Sequence, residues 1–140
     1  MAEPHVAFDL RIPSDVEYIE GVVELARQRC RELNLSPSTC SLNVPVALSE
    51  ALSNAILRGN ESVGGKHVRV RALVTDAALV FEIVDEGPGF DLDQCTADCT
   101  TDDNLMKEEG RGLFLMRRLV DDVESYHDHG NVVRLTLRRE

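Results

Sequence analysis

Leu79-Val-Phe-Glu-Ile-Val84 runs directly into Asp85-Glu86-Gly87-Pro88-Gly89-Phe90, and this stretch decides the fold. Six mostly apolar residues read as a strand. The strand stops at a carboxylate, and the two glycines after it permit positive φ and close approach of backbone to a ligand. Upstream, His67 to Val74 alternates as a second strand, and Asp76-Ala77-Ala78 between the two predicts a hairpin. Further upstream, Leu48, Ala51, Leu52, Ala55 and Ile56 form one stripe, which predicts a helix from Leu42 or Val44 to Leu57. Gly59-Asn60 stops it and Gly64-Gly65 prolongs the loop. Another helix is predicted over Val16 to Leu33, after a strand at His5 to Ile12 and a break at Pro13-Ser14-Asp15, with Ser14 as N-cap. Downstream, Asp85 to Gly110 is long, polar and acidic, as expected of a lid or binding loop. A helix is expected from Gly112 to about Val123. Strands at Val123 to His129 and Val132 to Arg138 flank Gly130-Asn131. The order β-α-α-β-β-lid-α-β-β predicts an α+β domain of two layers. Its sheet is expected to be mixed and mostly antiparallel, with the helices on one face.

Composition narrows the function. The chain has 140 residues, 43% hydrophobic and 29% charged, with 15 Lys and Arg against 25 Asp and Glu and a formal charge of −10. One globular domain over 1–140 fits that length. The acidic balance argues against a nucleic-acid partner, and aromatics at 4% argue against a base-stacking platform. No apolar run reaches membrane-spanning length and the start lacks signal-peptide character, so the cytoplasm is the expected compartment. There, Cys30, Cys40, Cys95 and Cys99 are most simply free thiols.

Three motifs carry chemistry. In Glu50-Ala-Leu-Ser-Asn54, Glu50 and Asn54 are four apart and share a helix face, with Arg58 continuing the row. Alone, this is the polar edge of an amphipathic helix. Beside a phosphate, Asn offers a hard oxygen to Mg2+ and Glu can accept a proton from a hydroxyl or water. In the second motif, Asp85 can accept a hydrogen bond from an amine such as that of adenine, whereas the plain alternative is a loop with glycines for geometry. The third, Gly110-Arg111-Gly112-Leu113, opens a helix, where free N–H groups and the dipole favour phosphate and Arg111 can add a charged contact. It matches neither the Rossmann nor the Walker A spacing.

Together and in this order, the motifs resemble the N box and two glycine boxes of the ATP-binding fold shared by gyrase B, MutL and bacterial histidine kinases, the Bergerat fold. The likeness runs from Phe8 to Arg138. The small size and the sequence Ala47-Leu-Ser-Glu50-Ala-Leu-Ser-Asn54-Ala55-Ile56 are similar to the bacterial anti-sigma-factor serine/threonine kinases.

That resemblance implies ATP and Mg2+ as cofactors. Asn54 would hold Mg2+, Glu50 would be the general base, and Asp85 would select adenine. Gly87 and Gly89 would line the base and ribose, Gly110, Arg111 and Gly112 would approach the phosphates, and Phe90 and Leu113 would belong to the same nucleotide site, under a lid over about 87–112. The implied partners are an anti-anti-sigma protein of the STAS type and a sigma factor, and the implied assembly is a homodimer. Where many relatives carry His four residues after the N-box Asn, this chain has Arg58, which would contact phosphate or pair with an acidic neighbour. The lid is expected to be mobile, with its carboxylates facing solvent. A nucleotide-gated adaptor without phosphoryl transfer, or a module detached from a histidine kinase, are the alternatives. Cys95, Cys99, His127 and His129 include zinc-ligand types, but not at a strong finger spacing. Arg27, Arg29 and Arg31 read as a solvated helix face, and the stripe Leu113, Phe114, Met116, Leu119 and Val120 as core.

Overall fold

A computed structural model describes residues 5–60, 65–87, 108–127 and 130–139, without the side chains at 58, 59 and 108–113. Strand β1 (His5–Pro13) is followed by a short 3-10 turn over Val16–Tyr18 and helix α1 (Ile19–Glu32). Helix α2 (Val44–Asn54) leads to strands β2 (His67–Val74) and β3 (Ala78–Asp85). Helix α3 (Glu108–Leu119) and strands β4 (Asp122–His127) and β5 (Asn131–Arg138) complete the order. The five strands form one sheet in the order β1-β2-β3-β5-β4. All four pairings are antiparallel. The predicted α+β order is therefore present, and among the described residues no strand pair is parallel.

Strand alternation divides the sheet into two unlike faces. Val68, Val70, Ala72 and Val74 of β2, Leu79, Phe81 and Ile83 of β3, and Val133, Leu135 and Leu137 of β5 are buried. They share one core with Val22, Ala26 and Cys30 of α1, Leu48 and Leu52 of α2, and Met116 of α3. The helices therefore cover this face. The other face carries one row of alternating charge across all five strands: Asp9, Arg71, Glu82, Arg134 and Glu124 stand opposite one another in register. Glu82 is only 6% exposed there. Arg134 grips its carboxylate through Nη2 at 2.6 Å and Nε at 3.2 Å. Arg71 approaches it from the other side at 3.4 Å.

Four details depart from the sequence reading. Asp15, not Ser14, caps the turn before α1, because its carboxylate accepts from the Glu17 N–H. Helix α3 starts at Glu108 and ends at Leu119, about four residues earlier at each end than its apolar spacing predicts. Its glycines hid the first turn, and Val123, read both as the end of the helix and as the start of the next strand, is an inward-facing residue of β4. Met116 and Val120 are core as expected, but Phe114 is 44% exposed, with the Arg118 guanidinium 5.5 Å from its ring centroid. The solvated face of α1 is as expected: Arg27 and Arg29 pair with Glu24 and Glu32 at helical spacing. Cys30 and Cys40 are free thiols, both buried.

Candidate ATP site

Helix α2 presents the first motif. The stripe Leu48, Ala51, Leu52, Ala55 and Ile56 is buried in the core, which turns the adjacent row with Glu50 and Asn54 toward the rim. Glu50 is half-buried. Asn54 is 8% exposed, yet its Nδ2 has no hydrogen-bond partner among the described residues. A buried amide without a partner costs on the order of 1–3 kcal/mol, so its retention points to a ligand. Beyond Asn54 the helix widens into a π turn over Ala55–Gly59. The Asn60 N–H closes that turn on the Ala55 carbonyl at 2.8 Å. Such turns inside helices often mark functional sites.

The second motif begins at the last residue of β3. Asp85 is 3% exposed. Its Oδ1 accepts from the Gly87 N–H and from Asn131 Nδ2, both at 2.8 Å. Asn131 Nδ2 also donates to the Gly87 carbonyl at 3.0 Å. This carboxylate is held by neutral donors on one oxygen, and no cation pairs with it among the described residues. Among the described residues no hydrogen bond reaches its Oδ2. Gly130, φ +141°, lies against the Asp85 carbonyl.

The third motif lies inside α3 rather than ahead of it. With the helix starting at Glu108, the backbone N–H of Gly110 falls in the first turn, which has no intrahelical acceptor to offer it, while that of Arg111 makes the first intrahelical bond. That backbone suits phosphate.

The family described as the histidine kinase-like ATPase domain matches residues 12–137. A serine-protein kinase RsbW of Listeria monocytogenes is 29% identical over 142 residues, covering 97% of this chain and 89% of that protein. One from Bacillus velezensis is 30% identical, covering 91% and 82%. An anti-sigma F factor of Clostridium acetobutylicum is 27% identical, covering 70% and 68%. The chain belongs to the anti-sigma serine-protein kinases of the histidine kinase-like ATPase family. Use of ATP and a serine/threonine kinase activity go with that membership.

Within the family frame, the structure brings Glu50 and Asn54 together on α2 and joins Asp85 to Gly87. Gly89, Phe90, Cys95, Cys99, His129 and most of the expected lid lie outside the described residues. So do the side chains of Arg58, Arg111 and Leu113. Sequence reading missed three residues of the Asp85 loop: Asn131 and Gly130, taken as a turn, and Asn60, taken as a helix stop. Each was visible only as a punctuation residue. A cavity of about 940 Å³ beside the start of α2, lined in part by Asn43, Arg118 and Asp121, contains no motif residue. A smaller cavity of about 370 Å³ is lined in part by Asp85, Glu86, His67 and Arg69. No described helix is long and apolar enough to cross a membrane.

Proposed function

We propose that this chain binds Mg-ATP between α2, the end of β3 and the start of α3, and transfers the γ-phosphoryl group to a serine or threonine of a small STAS-type anti-anti-sigma protein. While that partner is phosphorylated, the chain sequesters a sigma factor, acting as a cytoplasmic homodimer. The observation that carries this reading is the buried Asp85 carboxylate, saturated on Oδ1 by Gly87 and Asn131. Oδ2 is then the acceptor for the 6-amino group of adenine.

The other roles follow from chemistry. Asn54 brings a buried Nδ2 without a partner among the described residues, a donor suited to a phosphate oxygen, and by the family resemblance its oxygen would hold Mg2+, an ion that takes few protein ligands and several phosphate or water oxygens. When bound, Mg2+ neutralises charge on the phosphates. Glu50, one turn before Asn54, accepts the proton of the substrate hydroxyl as its oxygen bonds to the γ-phosphorus and the bond to the β-γ bridging oxygen breaks. ADP leaves with that electron pair. Phosphoryl transfer depends mainly on positioning and charge stabilisation, so few side chains suffice. Gly87, Gly89, Phe90, Gly110, Arg111, Gly112, Leu113 and Arg58 are assigned to nucleotide contact, and residues about 87–112 to the lid.

The test is capture of a partner from native lysate on the purified chain, followed by Mg-ATP and intact-mass analysis. A small partner that gains one phosphate from the wild-type chain and none from Glu50→Gln supports the reading. A partner that stays unmodified while its affinity differs between ATP and ADP would make the chain a nucleotide-gated adaptor instead.

A further inference from the structure

Asn60 has no exposed surface and ties four segments together through one side chain. Its Nδ2 donates to Ser14 Oγ at 2.7 Å and to the His67 carbonyl at 2.9 Å. Its Oδ1 accepts from the Glu86 N–H at 2.7 Å, across 26 residues. The Glu86 carboxylate in turn accepts from the His67 N–H. The peptide that follows Asp85 is therefore anchored twice to the junction of α2 and β2. Asn131 holds the same turn from the β5 side.

We infer that Asn60 is a positioning residue for base selection: its Oδ1 fixes the Asp85–Gly87 turn and so aims Oδ2, the carboxylate oxygen of Asp85 without a partner among the described residues. The inference rests on Asp85 reading the adenine amine. Asn131 holds the turn at the Asp85 carboxylate and the Gly87 carbonyl, and the Glu86 carboxylate ties it to the His67 N–H, but the Asp85–Glu86 peptide N–H itself is held by Asn60. Without that bond the Asp85–Glu86 peptide can rotate. The Gly87 N–H then leaves Oδ1, and Oδ2 no longer meets the 6-amino group at a fixed angle. A site built to hydrogen-bond one group discriminates strongly against an analogue that lacks it, and that discrimination is lost when the acceptor is no longer held.

The experiment is calorimetric titration of the purified chain with Mg-ATP and with Mg-ITP, whose base carries a 6-oxo group in place of the amine. Asp85→Asn serves as the reference. In Asn60→Ala the ATP-over-ITP preference should fall by about fivefold or more, the scale of one lost hydrogen bond. In Asn60→Asp, which keeps an acceptor for the Glu86 N–H, the preference should persist even if the melting temperature drops. If Asn60→Ala does not fold, Asn60→Ser, too short to reach Glu86, makes the same comparison. An equal loss of ATP and ITP affinity in Asn60→Ala, or no loss, would show a merely structural residue and overturn the inference. An ATP-to-ITP ratio unchanged in Asp85→Asn would remove the adenine reading of Asp85 itself, and the inference with it.

Discussion

Gly130 lies so close to Asp85 that an added Cβ would sit 2.1 Å from the Asp85 carbonyl oxygen. The obstacle is backbone, which no rotamer change can relieve. The φ of +141° at Gly130 is also one that side-chain-bearing residues rarely adopt. Gly130→Ala must therefore push β3 and β5 apart just where Asn131 grips the Asp85 carboxylate. We expect a loss of roughly 2 kcal/mol or more together with weakened ATP binding. Chemical denaturation and nucleotide titration of the same variant check both. Wild-type ATP affinity in the variant would show that the strand ends do not set the Asp85 geometry.

Asn54→Ala should separate function from stability. Its Nδ2 has no protein partner to lose among the described residues, so stability should change by no more than about 1 kcal/mol. Mg-dependent ATP binding should fall by about tenfold or more, because a hard oxygen ligand is gone. Thermal melts with and without Mg-ATP read both quantities. A large drop in the apo melting temperature with Mg-ATP binding intact would mean that the amide serves the fold.

On the open sheet face, Arg134→Ala removes two hydrogen bonds from a carboxylate that is 6% exposed. Arg71 at 3.4 Å is then its main remaining counter-charge. A destabilisation of about 1–3 kcal/mol is expected. Replacing Glu82 and Arg134 together by Leu should cost less than the two single losses added, because no buried charge is left behind. Additive losses in a denaturation cycle would show that the two residues are not coupled.

Asp9 sets part of the acid limit. The hydrogen-bonded Arg69 holds its carboxyl below the ordinary value of 3.8, outweighing the opposing effect of burial, with further help from the Arg69 and Arg71 charges. A lowered folded value means stability that is full above 3.8 and is lost as pH falls through the depressed value. Asp9→Asn should flatten that limb of the stability–pH curve by removing the contribution above it, so stability at neutral pH falls slightly, the Asp9–Arg69 pair being part-exposed. NMR titration of the Asp9 carboxyl in the native protein checks the direction.

Cys30 is pushed up to about 12, first by burial and then by its contact with the Cys40 thiol. Little thiolate exists at neutral pH, and thiolate is the reactive form. The peptide carrying Cys30 should therefore stay unalkylated after iodoacetamide treatment of the native protein, as should that carrying Cys40, which burial shields, and both should react fully in denaturant. Native labelling of either would show that the α1–α2 junction opens.

Local order was legible in the sequence because each element has its own period and punctuation. The stripe on α2, the alternation in β2 and β3 and the glycines after Asp85 identified the elements and the three motifs, since those signals are carried by neighbours in the chain. The start of α3 was misplaced because Gly110 and Gly112 interrupt the apolar pattern without interrupting the helix. Phe114 was misassigned because an apolar residue announces its chemistry and not its side of the helix. What only the tertiary structure decided are the contacts between residues far apart in sequence. Asn60 reaches Glu86 across 26 residues and Asn131 reaches Asp85 across 46. A Gly or Asn at the end of an element looks the same to the sequence whether it ends a helix or braces a carboxylate. Strand pairing also put Asp9, Arg71, Glu82, Arg134 and Glu124 in one row, and register between strands is settled only when the sheet closes on its core.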